Sequence, residues 1–462
     1  MVFSSPVFLF IFFPLVWIIH AATPQKLKNC FLLIASLGFY FYGEGVFFLL
    51  MILTILTTYT ASLVIVKRRE KAFLFAFLSI FANLFILIVF KYGSFFASQL
   101  NLVTTVLGYS IPEVNLHLPA GISFFTFQAV SCIVDIYRNP DAEKPKFVST
   151  ALYISFFPQL IAGPILRYNN FVPQLKNRMV HYQSFIYGSK RFVYGLAKKI
   201  LIANTLAVPV DKIFEMSPGI LSATTAWTGA FLFTLQIYFD FSGYSDMAIG
   251  LGRMLGLKIP ENFNYPLISK SITEFWRRWH ISLSTWFRDY LYIPMGGNRK
   301  GKLRMYVALW VVFFVCGLWH GASWNFVIFG LAHGTVIVFE KTAIYKKISA
   351  PHAIKVLFSF VVVLFLFVVF RSSSLTHTIM FFKAMFGGFS PVAPVIPIDF
   401  KTVAATLTGI LFIFPVYKLF EKRLLYFNFA KFGELFFLLF LFALAVSDSS
   451  MIFADPFIYF RF

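Results

Sequence analysis

Long apolar runs alternate with short basic loops over the whole chain. Apolar segments fall at about 6–22, 29–42, 45–66, 72–91, 118–137, 151–168, 194–210, 223–256, 305–319, 322–340, 356–370, 402–420 and 432–449. Runs near ~20 residues match the thickness of a bilayer when helical. The pattern therefore predicts an all-α polytopic membrane protein with about eleven or twelve transmembrane helices. Lys26 and Lys28 follow the first run, Lys67, Arg68, Arg69 and Lys71 follow the third, and the loop 92–117 has neither Lys nor Arg. Because basic residues collect in cytoplasmic loops, the N-terminus is expected outside the cytoplasm. Lys346, Lys347, Lys422 and Arg423 mark further inner loops.

Three segments depart from simple crossings. ALYISFFPQLIAGPILRY (151–168) is interrupted by Pro158 and Gly163-Pro164 and is flanked by basic residues on both sides. This suits a re-entrant piece enclosed by protein, with a single kinked crossing as the other reading. The run 223–256 carries Asp240 and Asp246, which are expensive at membrane depth unless neighbours satisfy them; they either brace the structure or touch substrate. In EFWRRWHISLSTWFRDYL (274–291), Trp276, Trp279, His280, Leu283, Trp286, Phe287, Tyr290 and Leu291 fall within an arc of about 140° at helical spacing. Glu274, Arg277, Ser282, Thr285, Arg288 and Asp289 occupy the other side. An amphipathic helix lying in the membrane plane is expected, with His280 on its apolar face.

Composition narrows the class. Of 462 residues, 59% are hydrophobic and only 13% charged, too little polar surface for a soluble protein of this size. The net charge of +21 would suggest nucleic acid in a soluble protein, but the basic residues sit in the loops, which favours the membrane reading and no nucleic-acid partner. Cys30, Cys132 and Cys316 are isolated and form no metal or disulfide pattern. No phosphate-binding loop, HExxH or GxSxG motif occurs. His333 follows His320 by 13 residues, but no metal site is expected. With no repeat or linker, residues 1–462 read as a single membrane-embedded domain. The opening MVFSSPVFLFIFFPLVWIIH lacks a basic n-region and a cleavage site and is expected to stay as the first membrane helix.

What chemistry remains centres on His280 and His320. His320 lies in CGLWHGASWN (316–325), between two apolar runs. For any one histidine, a satisfied core position is the plain alternative. Gly317 and Gly321 bracket His320 and would admit close approach of a ligand, Trp319 and Trp324 offer apolar walls, and a neutral imidazole in a water-poor site suits proton abstraction from a hydroxyl. Between Arg253 and Arg304 stand ten basic and three acidic residues. Arg277 and Arg278 suit phosphates of a cytosolic ligand, or equally the head groups of membrane lipids. Trp276, Arg277, Arg278, Trp279, Trp319, Ser323 and Asn325 are the candidate donor- or tunnel-binding residues.

The segments LPAGISFFTFQAVSCIVDIYR (118–138), FFPQLIAGPILRY (156–168), YFDFSGYSDMAIGLGRMLG (238–256), ENFNYPLISKSITEFWRRWHISLSTWFRDYLYIPMGGNR (261–299) and GLWHGASWNFVIFGLAHG (317–334), together with the opening residues, resemble the membrane-bound O-acyltransferase family, in particular its bacterial branch for alginate O-acetylation. The resemblance implies a ring of helices around a central tunnel. It implies transfer of acetyl groups from a cytoplasmic thioester, acetyl-CoA, to an extracytoplasmic polysaccharide, either alginate-like or peptidoglycan. The family's motif histidines map onto His320 and His280 as catalytic residues. The resemblance further implies a bacterial cytoplasmic-membrane location and an extracytoplasmic partner of the SGNH-hydrolase type; no bound cofactor and no metal are expected. D-alanyl transfer from a carrier protein to teichoic acid is the alternative within the family. A glycan flippase without covalent chemistry, which would expose intramembrane charges such as Asp240 and Asp246 to a wide polar cavity, is the alternative outside it.

Overall fold

Helices dominate the computed structural model, which describes residues 2–112, 116–176, 178–347, 349–387, 398–416 and 428–451. No strand occurs among the described residues. Lys422, Arg423 and the end of the 402–420 segment lie outside them. Among the described residues, five helical runs are long and apolar enough to cross a membrane: Lys28–Lys67, Arg69–Thr104, Tyr182–Glu215, Lys302–His320 and His352–Arg371. Phe8–Ala22, Trp324–Glu340 and Phe400–Phe412 are shorter apolar helices. The expected eleven or twelve crossings thus resolve into helices of unequal length, and the 40-residue run itself holds two helices broken at Gly45.

The chain forms two compact units. The first holds Met1–Ser189 and Ala248–Pro260; the second holds Lys190–Met247 and Glu261–Phe462.

In the first unit, α1 (Phe13–Ala22), α2 (Lys28–Glu44), α3 (Phe48–Lys67) and α4 (Ala72–Thr104) precede α5 (Ile122–Arg138). Almost every residue of α5 is buried, against α3, α4, α6 (Phe147–Ser155) and α8 (Tyr168–Lys176). Arg69 closes the far end of α5, donating from Nη1 to the Ile136 carbonyl at 3.3 Å and from Nη2 to the Pro140 carbonyl at 2.8 Å. The first of these bonds gives a partner to a carbonyl that the helix end leaves open, and the second ties down the turn that follows. α4 exposes Phe73, Phe77, Phe81 and Phe85 as a ladder of stacked rings 6.1–6.4 Å apart, as expected of a face turned to lipid. The segment 151–168 breaks at Phe156, and a short α7 (Phe157–Leu160) follows. The Tyr153 hydroxyl donates to the Leu166 carbonyl at 2.9 Å, whereas an unbroken helix would hold those residues about 20 Å apart. The piece folds back on itself and is buried throughout, which favours the re-entrant reading.

In the second unit, the C-terminal half of α9 (Tyr182–Ala197) runs through a π-helical stretch, Lys198–Asn204, into α10 (Thr205–Glu215). It lies so close to α11 (Ala223–Met254) that a Cβ at Gly195 would meet the Gly243 carbonyl at 2.6 Å. The intramembrane carboxylates are neutralised here. Asp240 pairs with Lys199 at 2.7 Å, and Asp246 with Arg191 and Lys198, each at 2.6 Å. Both acids therefore hold helices together, the bracing role left open by the sequence. The unit continues with α12 (Ile272–Arg278), α13 (Ile281–Phe287), α14 (Lys302–His320), α15 (Trp324–Glu340), α16 (Ala343–Lys347), α17 (His352–Arg371), α18 (Leu375–Met385), α19 (Phe400–Phe412) and α20 (Asn428–Met451).

Candidate functional site

The helix expected over 274–291 is not continuous. Ser271 and Glu274 start α12 as a capping box: the Glu274 N–H donates to Ser271 Oγ at 3.0 Å, and the Lys270 N–H donates to Glu274 Oε2 at 2.9 Å. The helix stops after Arg278, and His280 adopts a left-handed backbone with φ 43° and ψ 54°. Only Tyr265 shares a positive φ among the described non-glycine residues. Such a backbone costs on the order of 1–3 kcal/mol and persists where surroundings impose it. Asn262 does so. Its carbonyl accepts from the Ile281 N–H at 3.0 Å, and its Oδ1 accepts from the Ser282 N–H at 3.1 Å and the Ser282 hydroxyl at 2.9 Å. Its own Nδ2 donates to Ser245 Oγ on α11 at 3.1 Å. The periodicity misled because both short helices keep the same apolar face; the break comes from Asn262, which lies outside that window.

A second anchor comes from α15. Glu340 receives the Ile272 N–H at 2.6 Å on Oε1 and the Thr273 N–H at 2.9 Å on Oε2, so its carboxylate satisfies the open start of α12. α14 and α15 form a tight hairpin. A Cβ at Gly317 would meet the Phe326 carbonyl at 2.2 Å, and one at Gly321 would meet the Phe326 ring at the same distance. The two glycines therefore serve helix contact. The expectation that they open room for a ligand is corrected, since the space beside them is filled by α15.

These constraints bring three histidines into one run of aromatic rings. His280, wholly buried, meets Phe241 edge-on at 4.6 Å and Trp319 at 5.8 Å. Trp319 in turn meets the His320 ring at 5.0 Å. His320, 3% exposed, also touches Phe370 at 5.3 Å and Phe329 at 5.6 Å, with its Nε2 4.0 Å from Cys316 Sγ. Phe329 leads at 4.7 Å to His333, whose Nδ1 accepts from Trp276 Nε1 at 3.2 Å. Both ring nitrogens of His280, and Nε2 of His333, are buried without a hydrogen-bond partner. Burial lowers His280 to about 3, so its ring is neutral at physiological pH. No cluster of three or more metal-ligating side chains occurs among the described residues.

The other candidates divide by what they touch. Trp276, Trp279 and Trp319 belong to the aromatic run, with Trp279 stacked on Phe275 at 5.4 Å and edge-on to Phe263 at 5.0 Å. Arg278 is paired with Glu274 at 2.6 Å, and Arg277 is exposed. Ser323 stands at the start of α15. Asn325 is buried and donates to the Ser372 carbonyl at 2.7 Å and the Val369 carbonyl at 3.3 Å, tying α15 to the end of α17. Asn262, Glu340 and the Trp276–His333 bond were not foreseen as parts of the site. The capping box alone left a local trace in the sequence.

Known proteins are similar to the chain over a stretch that includes this region. The model of the membrane-bound O-acyltransferase family matches residues 138–376, which contain all three histidines. The chain is 42% identical over 394 residues to the "Probable alginate O-acetylase AlgI" of Azotobacter vinelandii, covering 84% of this chain and 78% of that one. It is 34% identical to the peptidoglycan O-acetyltransferase of Helicobacter pylori, covering 84% and 80%. With the teichoic acid D-alanyltransferase of Bacillus subtilis the identity is 33%, covering 50% and 62%.

Proposed function

The chain belongs to the membrane-bound O-acyltransferase family, and from that premise we propose that it transfers acetyl groups from cytoplasmic acetyl-CoA to an extracytoplasmic polysaccharide. The similarity to alginate and peptidoglycan acetylases, which extends over 84% of the chain, supports acetyl as the acyl group. The shorter match to a D-alanyltransferase makes D-alanyl transfer the second reading. The bacterial cytoplasmic membrane is the proposed location, and an SGNH-type partner outside it completes delivery to the glycan.

The observation that carries a reactive role is the sharing of Trp319 by His280 and His320. In the proposed step, the accepting hydroxyl oxygen bonds to the acyl carbon while the thioester C–S bond breaks. His320 takes the hydroxyl proton and returns it to the departing thiolate; acting as a transient acyl carrier is its other possible role. His280, neutral and with both nitrogens open, donates one N–H to the thioester oxygen as negative charge builds there. Arg277 faces the donor phosphates, since Arg278 is engaged by Glu274.

The test is transfer of labelled acetyl from acetyl-CoA to added glycan by the protein in nanodiscs with its partner. His320→Ala is expected to lower the rate by about 10²–10⁴-fold. Normal transfer by that variant would remove the role. Transfer from D-alanyl carrier protein but not from acetyl-CoA would establish the second reading.

A further inference from the structure

The first unit contains a group of basic side chains apart from the histidine run. Arg178, just before α9, is 3% exposed. Its Nε and both Nη atoms are buried without a hydrogen-bond partner, and no carboxylate pairs with it among the described residues. Burial lowers it only to about 10, so the guanidinium stays charged. His20, near the end of α1, is 1% exposed, and its Nε2 likewise lacks a partner. The charges acting on that imidazole are Arg178 and then Lys28, the first residue of α2.

The surroundings hold Arg178 in place while leaving its head unmet. The Gln25 amide donates to the Arg178 carbonyl, and the Asn29 amide donates to the Leu175 carbonyl at 3.0 Å. The stem lies over Gly256, where an added Cβ would come 2.9 Å from Arg178 Cγ. Buried cations normally carry a partner. Lys199, the comparable cation of the second unit, has Asp240 at 2.7 Å. An unpartnered planar guanidinium and an imidazole that feels both it and the Lys28 ammonium match an oxyanion of more than one charge.

We propose that Arg178, His20 and Lys28 form a binding site for a phosphate group, reached from the side of the basic Lys26–Lys28 loop. The phosphate belongs either to a phospholipid head group or to a soluble phosphate compound. Two measurements on the full-length protein separate these. Native mass spectrometry counts phosphatidylglycerol retained after exchange into detergent, and equilibrium dialysis in phosphatidylcholine nanodiscs measures binding of labelled pyrophosphate. The wild type is expected to hold about one equivalent of at least one probe, and Arg178→Gln to weaken that binding about tenfold or more. Retention of phosphatidylglycerol identifies a lipid, and pyrophosphate binding a soluble phosphate. Binding of neither probe by the wild type, or equal binding by Arg178→Gln, overturns the site. Should Arg178→Gln fail to fold, Lys28→Gln takes its place: weaker binding supports the site and unchanged binding overturns it.

Discussion

Asn262 fixes the backbone on which His280 stands: its carbonyl accepts the Ile281 N–H at 3.0 Å and its Oδ1 takes both donors of Ser282. The imidazole is thus aimed by a residue 18 positions earlier rather than by its own helix. Asn262→Ala removes the Oδ1 acceptor from both donors of Ser282, a loss of about 1–3 kcal/mol in stability. It is expected to lower kcat more than KM. Asn262→Asp, which keeps an acceptor toward Ser282, should recover part of the rate. Thermal unfolding together with steady-state transfer checks this, and a change in stability without any change in kcat would detach Asn262 from catalysis.

The neutrality of His280 has a pH consequence. Above about 3 the buried ring carries no proton, whereas in the unfolded chain it takes one up below 6.5. Its contribution to stability is therefore intact above 6.5 and falls away as pH drops from there toward 3. His280→Gln should unfold less steeply with acid over that window while leaving the limbs of the pH–rate profile near neutrality in place. Disappearance of a limb near pH 6–7 in that variant would show that His280 titrates during turnover.

Glu340 can be separated from its charge. Glu340→Gln turns one acceptor at the start of α12 into a donor facing an N–H. We expect it to cost about 1–3 kcal/mol and to loosen the segment carrying Trp276. Hydrogen exchange at Ile272 and Thr273 reads this directly, and unchanged protection there would refute the capping role.

The buried pair of Lys199 and Asp240 distinguishes bracing from substrate contact. Asp240→Asn leaves an ammonium without its partner and should destabilise by about 3–5 kcal/mol. The double variant Lys199→Met with Asp240→Leu should recover most of that and retain acetyl transfer. Loss of transfer by a stable double variant would return Asp240 to the substrate path.

The membrane class and the two motif histidines were legible because they depend on composition and local pattern. The apolar runs and the sequence around His280 and His320 need no tertiary knowledge. The break at His280 was hidden because α12 and α13 bury the same face that one helix would bury. Gly317 and Gly321 looked like space for a ligand, since a sequence does not tell which neighbour approaches a bare Cα; here it is Phe326. His333 meets the run through Phe329, but its hydrogen bond comes from Trp276, 57 residues away, a pairing that no short window contains.

The union of Lys199 with Asp240 also bears on biogenesis. Lys199 leaves the ribosome well before Asp240, and a lone ammonium in hydrocarbon is disfavoured by about 2.5–3.5 kcal/mol. Until α11 follows with the matching acid, the stretch 190–215 carries an ammonium that nothing neutralises. A chain stopped between the two would hold Lys199 without the acid that neutralises it.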